Sequence, residues 1–122
     1  MLAYAEISIK RDSDPEHAAT HMKLLTKALR RQLPALYSQE DKGMEAVAYC
    51  KFFTPDAQWT WYATEFDGQD TFYGYVIGIC PEFGYFCLSE LRQARGGLGL
   101  PVERDRFFEP TPIKELVKKH KQ

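Results

Sequence analysis

Carboxylates gather around a predicted turn, Asp67-Gly68-Gln69-Asp70, with Glu65 just before it. Neighbouring carboxylates are the side chains that bind hard cations or act as acid and base. The spacing of these three acids lacks the pattern of a calcium loop, and Asp-Gly is itself a turn signal. We therefore interpret Glu65, Asp67 and Asp70 as solvated acids at the tip of a hairpin, where rim charges would speed association with a partner.

Other motifs are weaker. His17 and His21 are spaced to reach one metal from a helix, but alanine follows His17 where zinc proteases have glutamate, and no third ligand is evident. Residues 96–99, Gly-Gly-Leu-Gly, follow a helix instead of preceding one, which predicts a cap and loop and not a phosphate site. Ser89 lacks a nucleophile elbow.

These motifs predict no catalytic residue, no metal and no cofactor. One enzymatic hypothesis stays open, in which an unrecognised site is formed by Glu65, Asp67, Glu90 and Glu103.

A sheet has to position these side chains. Turn signals separate four segments rich in β-branched and aromatic residues, and this predicts an antiparallel β-meander. The predicted strands are Val47–Phe53, Trp59–Phe66, Thr71–Cys80 and Gly84–Leu88, with an N-terminal strand over residues 1–10 and an edge strand over Val102–Phe108.

Helices are predicted at both ends of the chain. The first begins at a cap on Ser13 or Asp14 and ends at Pro34. A short helix over 90–95 is capped by Ser89, and a last helix is capped by Thr111. The predicted fold class is α+β, an antiparallel β-meander sheet with flanking helices at both ends of the chain.

The central hairpin predicts two faces. If Phe66 lies opposite Thr71, the side chains of Trp59, Trp61 and Val76 share one face of the sheet, and we predict that this face packs on the core. Tyrosines then line the other side, where they are either covered by a helix or form a rigid binding platform. The predicted partner-binding residues are these tyrosines and the hairpin acids: Tyr62, Tyr73, Tyr75, Glu65, Asp67 and Asp70.

Charge is unevenly distributed along the chain. Residues 1–39 carry a net +2, residues 40–90 a net −7 and residues 91–122 a net +4, which sum to −1. The basic positions of the first helix define an alternative, nucleic-acid-binding surface. That surface consists of Lys23, Lys27, Arg30 and Arg31.

Length and composition favour one domain over residues 1–122, with residues 1–21 as an extension. No apolar run is long enough to cross a bilayer and no signal peptide is evident, so a cytoplasmic location is expected. Cys50, Cys80 and Cys87 lack metal-site spacing and are interpreted as reduced, buried residues.

Several segments resemble a domain-of-unknown-function family, number 2958. They include Trp59-Thr60-Trp61-Tyr62, Gly74-Tyr75-Val76-Ile77-Gly78 and Gly84-Tyr85-Phe86. The resemblance covers residues 22–116. It implies a setting on plasmids, conjugative elements and prophages, and no particular activity.

The function expected from these observations is non-enzymatic. A mobile-element accessory protein would bind a host protein complex, for example to inhibit a CRISPR-type defence nuclease as an anti-CRISPR protein. The alternative is a nucleic-acid-binding accessory protein that uses the basic helix.

Overall fold

The structure is a computed structural model, and it describes residues 8–9 and 23–121. The α-helices are α1 (Lys27–Gln32), α2 (Leu88–Gln93) and α3 (Ile113–His120), and a 3₁₀ turn covers Gly43–Glu45. The strands are β1 (Ser8–Ile9), β2 (Val47–Ala48), β3 (Cys50–Phe53), β4 (Thr60–Phe66), β5 (Thr71–Ile77), β6 (Pro81–Cys87), β7 (Ala94–Arg95), β8 (Glu103–Arg104) and β9 (Thr111–Pro112).

The main sheet has five antiparallel strands in the order β6-β5-β4-β3-β8. Strands β3 to β6 are neighbours in both sequence and space, so the predicted meander and the α+β class are confirmed. Two short pairs, β1 with β7 and β2 with β9, lie outside this sheet. No helix among the described residues is long and apolar enough to cross a membrane.

The register of the central hairpin is as predicted from Thr60 to Ala63 and then shifts. Trp61 lies opposite Val76, but the predicted pairing of Phe66 with Thr71 is wrong, because Phe66 lies opposite Phe72 and Glu65 lies opposite Tyr73. Thr64 is the extra residue of a β-bulge, and its hydroxyl donates to the Tyr73 carbonyl at 3.0 Å. The shift moves Glu65 to the same side of the sheet as Tyr73.

The main core lies on the Trp61 side of the sheet, as predicted. Its fully buried side chains include four aromatic residues from neighbouring strands and two leucines of α2: Phe52, Trp61, Phe72, Phe86, Leu88 and Leu91. Phe72 stacks between two rings, with centroid distances of 4.5 Å to Phe66 and 5.2 Å to Phe86. Leu91 of α2 closes this core from one side.

Gly74 is required by a close backbone approach. A Cβ on Gly74 would lie 1.8 Å from the carbonyl oxygen of Tyr62, whereas a Cβ on its pairing partner Gly84 would meet nothing within 4 Å. We expect Gly74→Ala to lower the free energy of unfolding by about 1–3 kcal/mol, because backbone has to move. Gly84→Ala is the matched control, and equal losses in urea unfolding would refute this explanation.

The helix boundaries differ from the prediction. Helix α1 begins at Lys27, where Thr26 is the cap and its hydroxyl accepts from the Leu29 N–H, so residues 23–26 are not helical. The predicted caps Ser13 and Asp14 lie outside the described residues. Helix α3 begins at Ile113 and not after a Thr111 cap, because residues 111–112 pair with β2.

The strand boundaries and the second helix also differ. Strand β6 begins at Pro81, earlier than the predicted Gly84. Only Glu103–Arg104 of the predicted edge strand over 102–108 is a strand. Helix α2 ends at Gln93 and is followed by β7, so Gly96 does not end it. Cys80 is exposed and Cys87 is half-buried, so only Cys50 is buried as predicted.

Candidate partner-binding surface

The outer face of the sheet, opposite the main core, is covered over part of its width. Helix α3 packs Ile113 and Leu116 against Tyr62 of β4 and Ala48 of β2 in a second hydrophobic cluster. Tyr75 of β5 and Phe83 of β6 pack partly buried against the edge of this cluster, which does not include Tyr73 or Tyr85. The prediction that a helix covers the tyrosine face is therefore confirmed for Tyr62, whereas Tyr73 and Tyr85 lie beyond the covering cluster.

Tyr62 belongs to the covered part. It is 3% exposed, and its hydroxyl forms a 2.7 Å hydrogen bond with Nε2 of His120 at the end of α3. Burial raises the pKa of Tyr62 to about 12, with a further contribution from Asp105. The expectation that Tyr62 lies on an exposed platform is wrong, because α3 covers it.

At and beyond the edge of this cluster lies an aromatic surface that we call the tyrosine surface, composed of Tyr37, Tyr73, Tyr75, Phe83 and Tyr85. Phe83 contacts both neighbours on β5, with ring centroids 5.0 Å from Tyr75 and 6.0 Å from Tyr73. Tyr73 and Tyr85 meet edge to face at 4.9 Å. Predicted site residues Tyr73 and Tyr75 are thus brought together, and both are half-buried.

Tyr37 and Tyr85 are the most exposed members, at 63% and 45%. A hydrogen bond to the Tyr37 side chain raises the pKa of Tyr85, with smaller contributions from desolvation and nearby charges. Tyr37 has a φ of 73°, in the left-handed region that a residue with a side chain rarely adopts. A strained backbone that presents an exposed ring is a feature associated with functional sites.

Glu65 holds the backbone of Tyr37 in this left-handed conformation through its carboxylate. Its side chain is buried, and its two carboxylate oxygens accept from the backbone N–H of Tyr37 at 2.8 Å and of Gln39 at 2.9 Å. The expectation that Glu65 is a solvated acid at the hairpin tip is wrong. The bulge at Thr64 turns it under the segment that carries Tyr37.

Gln39 ties the same segment to the sheet a second time. Its amide nitrogen donates to the carbonyls of Thr64 and Val47, and its amide oxygen accepts from the Val47 N–H. Beside it lies a notch of about 60 Å³ whose lining includes Glu40, Tyr73 and Phe83. The segment that carries Tyr37 therefore has a fixed backbone, and an exposed acid, Glu40, lies beside the tyrosine surface.

Asp67 and Asp70 have structural contacts of their own. One Asp67 oxygen accepts from three backbone N–H groups of the turn, which lowers the pKa of that carboxyl. Asp70 accepts from the backbone N–H and the hydroxyl of Ser89, at 2.8 and 2.7 Å. Asp70, and not Ser89, thus caps α2. Asp67 is exposed and Asp70 half-buried.

The basic residues Lys23, Lys27, Arg30 and Arg31 are all exposed, the last three of them on α1. Arg30 donates to the Gly68 carbonyl at 3.2 Å, and its guanidinium lies 5.5 Å from the centre of the Phe66 ring. Arg30 therefore joins α1 to the hairpin turn.

The structure brings no metal site together within the part of the chain that it describes, where no three His, Cys, Asp or Glu side chains cluster. His17 and His21 lie outside that part. Loop 96–100 is occupied by an acid of the chain itself, because Asp56 accepts from the N–H groups of Leu98 and Leu100 at 2.7 and 3.2 Å. This loop is therefore not arranged to bind phosphate.

The Tyr62–His120 hydrogen bond predicts a pH dependence of the α3 contact. Desolvation, assisted by Lys51, lowers the pKa of His120 below its ordinary value of 6.5. A group whose pKa is depressed by folding contributes stability above its unfolded pKa and loses it as the pH falls through the folded pKa. We expect α3 amides to be less protected at pH 5 than at pH 7, when exchange is compared with the intrinsic rate at each pH, and His120→Gln to abolish most of this difference. An unchanged pH dependence in that variant would contradict the assignment.

Sequence reasoning missed three members of the tyrosine surface. Phe83 and Tyr85 alternate in the segment assigned partly to a turn, and extending that strand by a few residues aligns them with Tyr75 and Tyr73. Tyr37 carries no local signal, because its position depends on Glu65, which is far along the chain.

A family model described as "Protein of unknown function (DUF2958)" matches residues 24–120, which is most of the chain. No curated protein and no solved structure matches the chain.

Proposed function

The chain belongs to the DUF2958 family, and we propose that it is a non-enzymatic protein that binds another protein through the tyrosine surface. The carrying observation is the exposed Tyr37 ring on a left-handed backbone that a buried carboxylate holds in place. Tyrosine provides a large contact area with few rotatable bonds, so a prearranged cluster loses little entropy on binding.

Charge favours a basic partner surface. Two exposed acids lie near this surface: Glu40 beside the notch next to Tyr73, and Glu82 on β6 itself. Proteins that bind nucleic acid present basic surfaces with aromatic residues, which an acidic aromatic surface complements. We therefore propose a host defence complex of the CRISPR-nuclease type as the partner class, in the setting of a mobile genetic element.

If the tyrosine surface binds a partner protein, substitutions on this surface should reduce capture of that partner, and substitutions elsewhere should not. The immobilised chain is exposed to lysate of a host carrying such a complex, and retained proteins are identified by mass spectrometry. We expect Tyr37→Ala and Tyr85→Ala together to reduce capture at least about tenfold, as for central aromatic contacts. Phe107→Ala, which removes an 87% exposed ring elsewhere, is the matched control and should capture normally.

Nucleic-acid binding is the competing hypothesis, and binding assays with DNA and RNA at several salt concentrations test it. Several phosphate contacts would make binding fall steeply with salt. We expect the chain to show no such binding to duplex DNA, single-stranded DNA or RNA near physiological salt. Tight, salt-sensitive binding that is lost on changing Lys23, Lys27 and Arg31 to glutamate would refute the protein-binding proposal.

A further inference from the structure

Strand β6 ends the main sheet on the side of the tyrosine surface, and no strand among the described residues pairs with its outer edge. Its pairing with β5 is regular from Pro81 to Cys87. Proteins usually protect such an edge with charges, bulges or a covering element. Glu82 is the one charged residue of β6, so residues 83–87 form an uncharged edge.

The direction of the backbone groups on β6 follows from one hydrogen bond. The Leu88 N–H donates to the Asp70 carbonyl at 2.8 Å, one step beyond the pair of Cys87 with Thr71. Bonded pairs alternate along an antiparallel ladder, so the even-numbered residues of β6 bond to β5. The N–H and C=O groups of Phe83 and Tyr85 therefore point to the outer edge. Pro81, which has no N–H, fits the same odd-numbered set.

This edge lies beside the tyrosine surface, to which Phe83 and Tyr85 contribute their rings. A strand added there would place every second side chain on the same face of the sheet, beside the rings of Phe83 and Tyr85. An added strand thus combines backbone hydrogen bonds with side-chain contacts, which is the arrangement of peptide recognition by β-strand addition.

Charge distinguishes between two occupants of the edge. A second copy of the chain paired along this edge would bring the acids beside it, Glu82 and Glu40, close to the same acids of its partner, which repel, whereas a basic strand is attracted to them. We propose that the outer edge of β6 binds an extended basic segment of a partner protein by antiparallel or parallel strand addition. This inference rests on the proposed function and specifies the part of the partner that is bound.

A library of random 12-residue peptides displayed on phage and selected on the full chain tests the proposal. We expect the selected peptides to carry Lys or Arg at alternate positions. On binding, the amides of Phe83 and Tyr85 should become at least about tenfold more protected from hydrogen exchange. Failure to select peptides, or selection of peptides without basic residues, would overturn the proposal.

Two variants at position 85 distinguish the contribution of the backbone N–H to peptide binding from that of the tyrosine ring. Tyr85→Ala and Tyr85→Pro both remove the ring, but only proline removes the outward N–H, and it leaves the bonds to β5 in place. Peptide affinity should be about tenfold lower for Tyr85→Pro than for Tyr85→Ala. Equal affinities in two folded variants would refute strand addition.

Other outcomes also decide against this inference. Amides of Phe83 and Tyr85 that are already protected in the free chain would show that the edge is covered, and a stable dimer broken by Tyr85→Pro would show that a second copy occupies it. If the peptides fail while Tyr37→Ala with Tyr85→Ala still abolishes capture from lysate, strand addition fails and the proposed function stands.

Discussion

Replacement of Trp61 by alanine is expected to lower the free energy of unfolding by about 3–5 kcal/mol. Trp61 is fully buried at the centre of the sheet and its ring stacks on Trp59 at 5.9 Å. The truncation leaves a cavity that strands on both sides cannot fill without breaking their ladders. Urea unfolding monitored by far-UV circular dichroism measures the loss.

Phe107→Ala provides the control for Trp61→Ala, because it removes an aromatic ring that is 87% exposed. It should change stability by less than about 0.5 kcal/mol. A loss below about 1 kcal/mol for Trp61→Ala, together with lost partner capture, would show that the Trp61 side of the sheet is the contact surface and that the core has been placed on the wrong face.

Removal of the Glu65 carboxylate has the second large expected effect. Glu65→Ala leaves the N–H groups of Tyr37 and Gln39 without their acceptors, and each orphaned buried donor costs about 1–3 kcal/mol. We expect a loss of about 2–5 kcal/mol and a loss of partner capture, because Tyr37 is no longer held. Unfolding and lysate capture measure the two effects.

Glu40→Ala is the matched control for Glu65→Ala. It removes an exposed acid from the same surface and should leave stability unchanged. Glu65→Gln keeps the volume and one acceptor oxygen, so its loss should be intermediate. Capture that survives in a folded Glu65→Ala protein would contradict the role of Glu65 in presenting Tyr37.

The sequence by itself determined the α+β class, the meander and the core face. Alternation and turn signals are local, so they place Trp61 and Val76 on one side before any contact is known. Glycine at position 74 marks the close approach of β4 and β5 in the same way. The Asp67 turn is equally local, because its acceptor and donors lie within a few residues.

Tertiary structure decided the candidate site. The bulge at Thr64 moves Glu65 to the other side of the sheet. The alternation of hydrophobic residues does not predict this one-residue shift, so the position of Glu65 could not be predicted from the sequence. Whether a tyrosine is covered also depends on distant elements: α3 buries Tyr62, while Tyr73 and Tyr85 extend beyond it. Tyr37 joins them only because Glu65, distant in sequence, binds its backbone. Local patterns thus determine strands and their faces, whereas the exposed surface depends on contacts between residues far apart in the chain.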